Sequence, residues 1–395
     1  MLRCANIQAE KISFQMKQTA RWLVVGLILL STIVVIAVAS KPAEKDYISY
    51  WSAGQLLAHH QDPYSGSQVL AIEKTQGYQP SKPIIMRNPP WALFLTMPLA
   101  LGSPRAGLIF WMAATIGCIL VCFRLLQMPP QDRILAFCFA PVLGCLASGQ
   151  SSPFLLLGFS LFLYFHRSKP LIAGAALLFM AIKPHLFLVF WVVLLVDCIY
   201  RRRFRLVAGL VLALIAATAL AMRVDPLVWP QYLAMLRSAV LSNEFLQTPA
   251  YILRYLIAPR VEWVQLVPSL AATAWGIWFY ARNRANWDWR THGMPVMLVA
   301  LVTSPYGWMT DEIVLLPAVM LTLSNPKKSK YSTALFMVIS GTVMAMLIAG
   351  LQLSSGAYLW TASAWFAWYL YSRPSTPNPS FDRHEEVDTA AKAWS

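Results

Sequence analysis

The stretch ILAFCFAPVLGCLASGQSSPFLLLGFSLFLYF, residues 134–165, contains no charged side chain, and its polar residues gather in the middle. A surface helix of a soluble protein alternates an apolar stripe with polar residues at helical spacing. Here apolar residues occupy the whole circumference on either side of one polar turn, Gly149-Gln150-Ser151-Ser152. Helices that are apolar all round need an apolar surrounding. The stretch therefore reads as two short membrane spans, 134–148 and 151–165, joined by a turn set below the membrane surface. The composition agrees: of 395 residues, 58% are hydrophobic and 12% charged, with a mean hydropathy of +0.54, which excludes a soluble globule.

Working outward, further apolar runs lie at 22–39, 106–126, 170–182, 185–200, 206–222, 261–281, 293–303, 313–325, 331–351 and 357–372, giving twelve predicted spans. Several are shorter than the ~20 residues of a perpendicular span, so they must be tilted, broken or supported by neighbours. The expected fold is all-α, a polytopic transmembrane helix bundle. The run 89–101 opens on Pro89-Pro90 and carries Pro98. It reads as a re-entrant or surface-lying helix, because counting it as a span would invert every later loop.

Lysine and arginine set the orientation. With the N-terminus inside, the predicted cytoplasmic segments hold 21 of the 32 basic residues, and the short external turns 149–152, 304–310 and 352–356 hold none. Both termini are then cytoplasmic. The net charge of +15 is mostly a topology signal, plus attraction to anionic inner-leaflet lipid, and gives no reason to invoke nucleic acid. The run 22–39 reads as an uncleaved signal anchor rather than a signal peptide, being longer than a usual h-region. Two external segments, 41–105 and 224–260, are rich in Leu, Trp, Tyr and Pro and read as surface-lying helices packed on the bundle. Residues 1–373 form one integral domain, and the polar segment 374–395 is an expected disordered cytoplasmic tail.

The six cysteines fall in spans or at the N-terminus, so no disulfide framework follows, and neither a metal-ligand spacing nor a cofactor motif is present. His59-His60 adds only a faint metal signal, since adjacent residues face different sides of a helix.

Nine of the 17 acidic residues lie at or beyond the predicted outer interface: Glu44, Asp46, Asp62, Glu73, Asp225, Glu244, Glu262, Asp311 and Glu312. Asp46 precedes a helical-period stretch from Tyr47 to His59 and stands either as a helix N-cap or as a functional acid at the bundle mouth. Asp311 and Glu312 follow Ser304-Pro305-Tyr306-Gly307-Trp308, where they suit either the start of a descending helix or a polar cavity. Lys183 interrupts an apolar stretch between Ile182 and Pro184, with His185 following, and should face protein or a water-filled cavity as an anion contact, or else snorkel. Arg87, before Asn88-Pro89-Pro90, carries the planar fork suited to phosphate, although a loop arginine can equally be a surface residue. Gln150 in the polar turn could donate to a ligand.

Taken in order, Asp46-Tyr47 with Tyr50, Asp62-Pro63-Tyr64, Pro89-Pro90 with Pro98-Leu99, Gly149-Gln150, Ile182-Lys183-Pro184, and Ser304-Pro305-Tyr306 with Trp308 and Asp311 resemble glycosyltransferase family 87. The resemblance implies a GT-C bundle that uses a polyprenyl-phosphate sugar, often mannose, with its site at the outer leaflet of a bacterial cytoplasmic membrane. It also implies a catalytic base in the first external loop, which falls on Asp46. Two positions depart from the family's pattern: Asn88 stands where an aromatic residue usually precedes the double proline, and Thr310 where the mannose-specific branch carries His.

A lipid-phosphate donor brings its own leaving group, so the enzyme needs a base for the acceptor hydroxyl and cations for the departing phosphate. Asp46 would supply the first and Arg87 with Lys183 the second. Tyr50, Gln150, His185, Trp308, Asp311 and Glu312 are the expected substrate contacts, and the expected partners are the donor, a lipid or glycan acceptor and membrane lipid. The rival class is a transporter or lipid flippase, for which an intramembrane lysine and broken helices would mark a substrate path. Against it, the candidates crowd one side of the membrane and no internal repeat is visible. The orientation predicts that a cysteine replacing Ser65 is labelled by an impermeant thiol reagent applied to intact cells, while one replacing Ser329 is not; the reverse pattern would invert the topology.

Overall fold

The computed structural model describes residues 46–238, 246–353 and 355–373. The expected signal anchor at 22–39, Glu44, Glu244 and the tail 374–395 lie outside the described residues. Among the described residues all regular structure is helical. The segment 46–103 contributes α1 (Tyr47–Ala58) and α2 (Gly66–Thr75), followed by α3 (Pro104–Leu125), α4 (Pro130–Phe137), α5 (Ala140–Ser148), α6 (Ser152–Phe165), α7 (Pro170–Met180) and α8 (Leu188–Tyr200). The second half runs through α9 (Phe204–Val224), α10 (Val228–Ser238), α11 (Pro249–Ile257), α12 (Val267–Asn283), α13 (Trp289–Val302), α14 (Leu316–Leu323), α15 (Ser332–Ile348) and α16 (Thr361–Ser372).

Proline sets many of these boundaries. It occupies the first turn of α3, α4, α5, α6, α7, α11, α12 and α14, where its missing N–H costs nothing and its fixed φ favours a helix start. The same property cuts apolar runs that hydropathy reads as single spans. The run 134–148 becomes α4 and α5, meeting around Phe139. The run 185–200 opens with a 3₁₀ turn at Pro184–Phe187, and the run 313–325 is entered through another at Met309–Leu315.

Consequently only α3 and α9, among the described residues, are long and apolar enough to cross a membrane by length and composition; α6, α7, α15 and the segment Pro184–Tyr200 are apolar but shorter. The expected twelve spans are therefore not confirmed: two described helices are long enough by this measure, and the run 22–39 lies outside the described residues. The expected single helix over 89–101 is likewise two 3₁₀ segments, Pro90–Leu95 and Met97–Leu101, which pack on α9 and α1.

The pair α7 and α9 makes the closest helix contact. Gly174 of α7 lies against the carbonyl of Leu206, and Gly209 of α9 lies against that of Leu171, so a Cβ at either position would overlap the opposing backbone. Small residues permit such backbone approach between apolar helices that have little hydrophobic drive to associate. The buried Asp197 ties α8 to its neighbours: it accepts from Tyr280 Oη and Trp289 Nε1, both at 2.9 Å, and pairs with Arg201 Nε at 3.1 Å. A buried carboxylate is tolerated when its lone pairs are satisfied in this way.

Replacing Gly174 with Leu should force α7 and α9 apart and cost about 1–3 kcal/mol as overpacking does. Gly341 of α15 has open space around it. Thermal unfolding in detergent should therefore drop for Gly174→Leu and stay unchanged for Gly341→Leu.

Candidate active site

A cavity of about 690 Å³ opens where α1, the loop 83–88, the α5–α6 turn, the break after α7 and the loop 306–310 converge. Seven of the nine sequence-predicted site residues line it: Asp46, Tyr50, Arg87, Gln150, Lys183, His185 and Trp308. Asp311 and Glu312 do not.

Asp46 occupies the N-cap position of α1 but makes no side-chain capping hydrogen bond. Its Oδ2 instead accepts from Gln150 Nε2 at 2.7 Å. The orientation of the Gln150 amide follows from its neighbours. Oε1 accepts from Tyr50 Oη at 3.2 Å and from Lys183 Nζ at 3.3 Å, whereas a flipped amide would set its donors against the lysine. Tyr50 also shares a hydrogen bond with Ser151 Oγ at 2.9 Å and stacks on Trp111 at 4.9 Å. Burial pushes the pKa of the Tyr50 hydroxyl up and keeps it a neutral donor.

Gly149 makes this meeting possible. It adopts φ +71° at the end of α5, and a Cβ there would approach Tyr47 Cβ to 2.8 Å. Its carbonyl accepts from Trp111 Nε1 at 2.8 Å. The left-handed conformation and the close contact both exclude larger residues, and together they set Gln150 beside Asp46.

Lys183 stands where α7 stops ahead of Pro184. The break leaves carbonyls without helical partners, and side chains from the segment between α2 and α3 take them up: Trp91 Nε1 donates to Ala181 at 2.8 Å and Asn88 Nδ2 to Ile182 at 2.9 Å. Asn88 is itself held through its carbonyl by Tyr64 Oη at 3.0 Å, and Asp62 Oδ1 accepts from the Tyr64 N–H at 2.8 Å. These contacts fix Arg87 in the cavity wall. The preceding stretch is anchored by Glu73, whose carboxyl accepts from the Ile84 N–H at 3.1 Å; burial pushes its pKa up to about 7.

The lysine ammonium has three acceptors, Asp311 Oδ1 at 2.6 Å, Gln150 Oε1 at 3.3 Å and Ser152 Oγ at 3.4 Å. Asp311 thus lies behind Lys183 as its counter-ion. Its Oδ1 also accepts from Ser152 Oγ at 2.6 Å, and its Oδ2 accepts from the Trp308 N–H at 3.1 Å as part of a capping box. Glu312 points away from the cavity, accepting from Thr361 Oγ1 of α16. Two residues on from Lys183, His185 meets Tyr306 edge-on at 5.3 Å, and Trp308 Nε1 donates to Tyr306 Oη at 3.3 Å. The cavity therefore combines a carboxylate and two cationic side chains with an aromatic wall, a lining that can orient a polar ring carrying a phosphate.

The sequence matches the model of glycosyltransferase family 87 over residues 87–305, more than half of the chain. The chain belongs to that family. No curated protein and no solved structure matches it. Membership makes it a membrane glycosyltransferase. The matched segment contains Arg87, Gln150, Lys183 and His185, and ends before Trp308, Asp311 and Glu312. Asp46 and Tyr50 precede it, and only the cavity geometry ties them to the family region.

Several wall residues of this family 87 protein carry little signal in the sequence. Asn88 and Thr310 are marked only by their departure from the family pattern, and Trp91, behind the wall, looks like an ordinary loop residue until the freed carbonyls of α7 are located. Ser49 and Ser148 line the cavity without any charge or spacing to single them out, and Tyr306 could be found only through its Ser-Pro-Tyr context.

Removing one partner of a buried ion pair strands the other charge, at a cost of about 3–5 kcal/mol. Asp311→Asn should show that loss in chemical unfolding, and adding Lys183→Met to the same chain should recover much of it. A neutral Asp311→Asn would mean that the lysine does not depend on this carboxylate.

Proposed function

We propose that the protein moves a sugar, for which a mannose-like hexose is one candidate, from a polyprenyl-phosphate donor to a hydroxyl of a lipid or glycan acceptor, at the outer face of a bacterial cytoplasmic membrane. In this reading the bundle is multi-pass, both termini are cytoplasmic and the cavity faces outward. The observation that carries it is the Asp46 carboxylate held at the cavity wall by Gln150, in the same cavity as Arg87 and Lys183. An N-cap aspartate would spend its side chain on α1, and this one does not.

In the reaction, Asp46 takes the proton of the acceptor hydroxyl as its oxygen bonds to the anomeric carbon. The bond from that carbon to the phosphate oxygen breaks, and polyprenyl phosphate leaves with the electron pair. Single displacement inverts the anomeric centre. Arg87 offers a planar fork to the departing phosphate. Lys183 contributes its field and can exchange its two long bonds, to Gln150 and Ser152, for phosphate oxygens while keeping Asp311. Tyr50, Gln150, His185 and Trp308 orient the sugar and acceptor. Asp311 acts through Lys183, and Glu312 has no place in the reaction.

The test is transfer from radiolabelled polyprenyl-phosphate sugars to a lipid extract by purified protein. Asp46→Asn retains an oxygen that can accept from Gln150, so the chain should fold and bind donor normally while transfer falls by about 10²–10⁴-fold. Unimpaired transfer by this variant would remove Asp46 as the base. Translocation of a lipid substrate by the wild type, with no sugar transfer, would favour a transporter.

A further inference from the structure

The 22 residues of α3 span roughly 33 Å at 1.5 Å per residue. Its first residue, Pro104, accepts from Tyr47 Oη beside the candidate active site, so its last turn lies at the opposite end of the bundle. There, a second concavity of about 580 Å³ is lined by Leu120, Val121, Phe123, Arg124, Gln127 and Arg133. Gln127 adopts φ +52° in the turn between α3 and α4, and that turn brings Arg124 and Arg133 to one groove.

No described carboxylate pairs with either arginine. The nearest acid in sequence, Asp132, is buried and accepts from Ser324 Oγ. Arg133 uses Nε on the Met128 carbonyl at 2.9 Å, which leaves its two terminal nitrogens to the groove. Beside the arginines, Leu120 and Val121 are 47% and 45% exposed on the flank of one of the two helices long enough to cross a membrane.

We propose that this groove binds an anionic glycerophospholipid of the leaflet opposite the active site, its phosphate between Arg124 and Arg133 and its acyl chains along Leu120 and Val121. Two uncompensated guanidinium groups match an anionic headgroup, and basic pockets beside membrane helices take up such lipids. The exposed leucine and valine match the chains, which inorganic phosphate lacks. The leaflet assignment rests on the membrane orientation proposed above; the binding itself does not, and it is independent of the transferase reading.

The test uses the full chain in mild detergent, incubated with phosphatidylglycerol or with phosphatidylcholine of the same chain length, and counts retained lipids by native mass spectrometry. Phosphatidylglycerol should be preferred, and the double variant Arg124→Gln/Arg133→Gln should lose the preference by roughly thirtyfold. The charge-keeping Arg124→Lys/Arg133→Lys should retain most of it, which separates lost binding from lost folding. Arg282→Gln, an arginine set over Trp278 outside the groove, should leave it unchanged. Equal loss in Arg282→Gln would reduce the effect to general surface charge and overturn the proposal. Equal retention of the two lipids, an unaltered count in the glutamine variant, or complete displacement by inorganic phosphate would also overturn it.

Discussion

Backbone polar groups cannot be left bare inside an apolar bundle, and that constraint shapes this molecule more than any single contact. Helices broken inside the apolar bundle expose carbonyls or N–H groups, and around the candidate site polar side chains take these up. The break after α7 recruits Asn88 and Trp91, and the start of the 3₁₀ turn at Met309 recruits Asp311. The candidate site is where these repairs coincide. The segment before α3 is held on the bundle by the break it caps, and Arg87 and Asp46 belong to that segment.

The same constraint explains why the cavity can hold charge. Lys183 is buried, yet its ammonium has an acceptor for each proton, and the carboxylate beneath it is satisfied on both oxygens. Gln150 then links this pair to Asp46 through one amide whose two ends face opposite kinds of partner. Such networks hold their geometry only when every member is satisfied, and this one nearly is.

In a chain that is 12% charged, a polar residue inside or beside an apolar run stands out, which is why Gln150, Lys183 and His185 were legible from the sequence; Asp46 and Arg87 were marked instead by the helical-period stretch and the double proline that follow them, and all five line one cavity. The helical class was legible for the same reason. Where helices begin and end was not, because hydropathy counts apolar residues and is blind to a proline that ends one helix and begins another, as at Pro141 and Pro184. The roles within the adjacent acids were also hidden. Asp311 and Glu312 are neighbours in a 3₁₀ turn, so one reaches Lys183 and the other Thr361, a divergence that only the turn geometry decides. Asn88, read as a departure from the family pattern, proves to be a helix cap supplied from another segment.

The two oxygens of Asp311 hold two different parts of the cavity lining. One holds Lys183, and the other holds the peptide N–H of Trp308 beside the aromatic side chains. A pull on either oxygen is felt at the other, because one rigid carboxylate plane joins them. A guest that draws the lysine forward would therefore strain the loop carrying Tyr306 and Trp308, and by reciprocity a guest against those rings would alter the hold on the lysine by the same free energy.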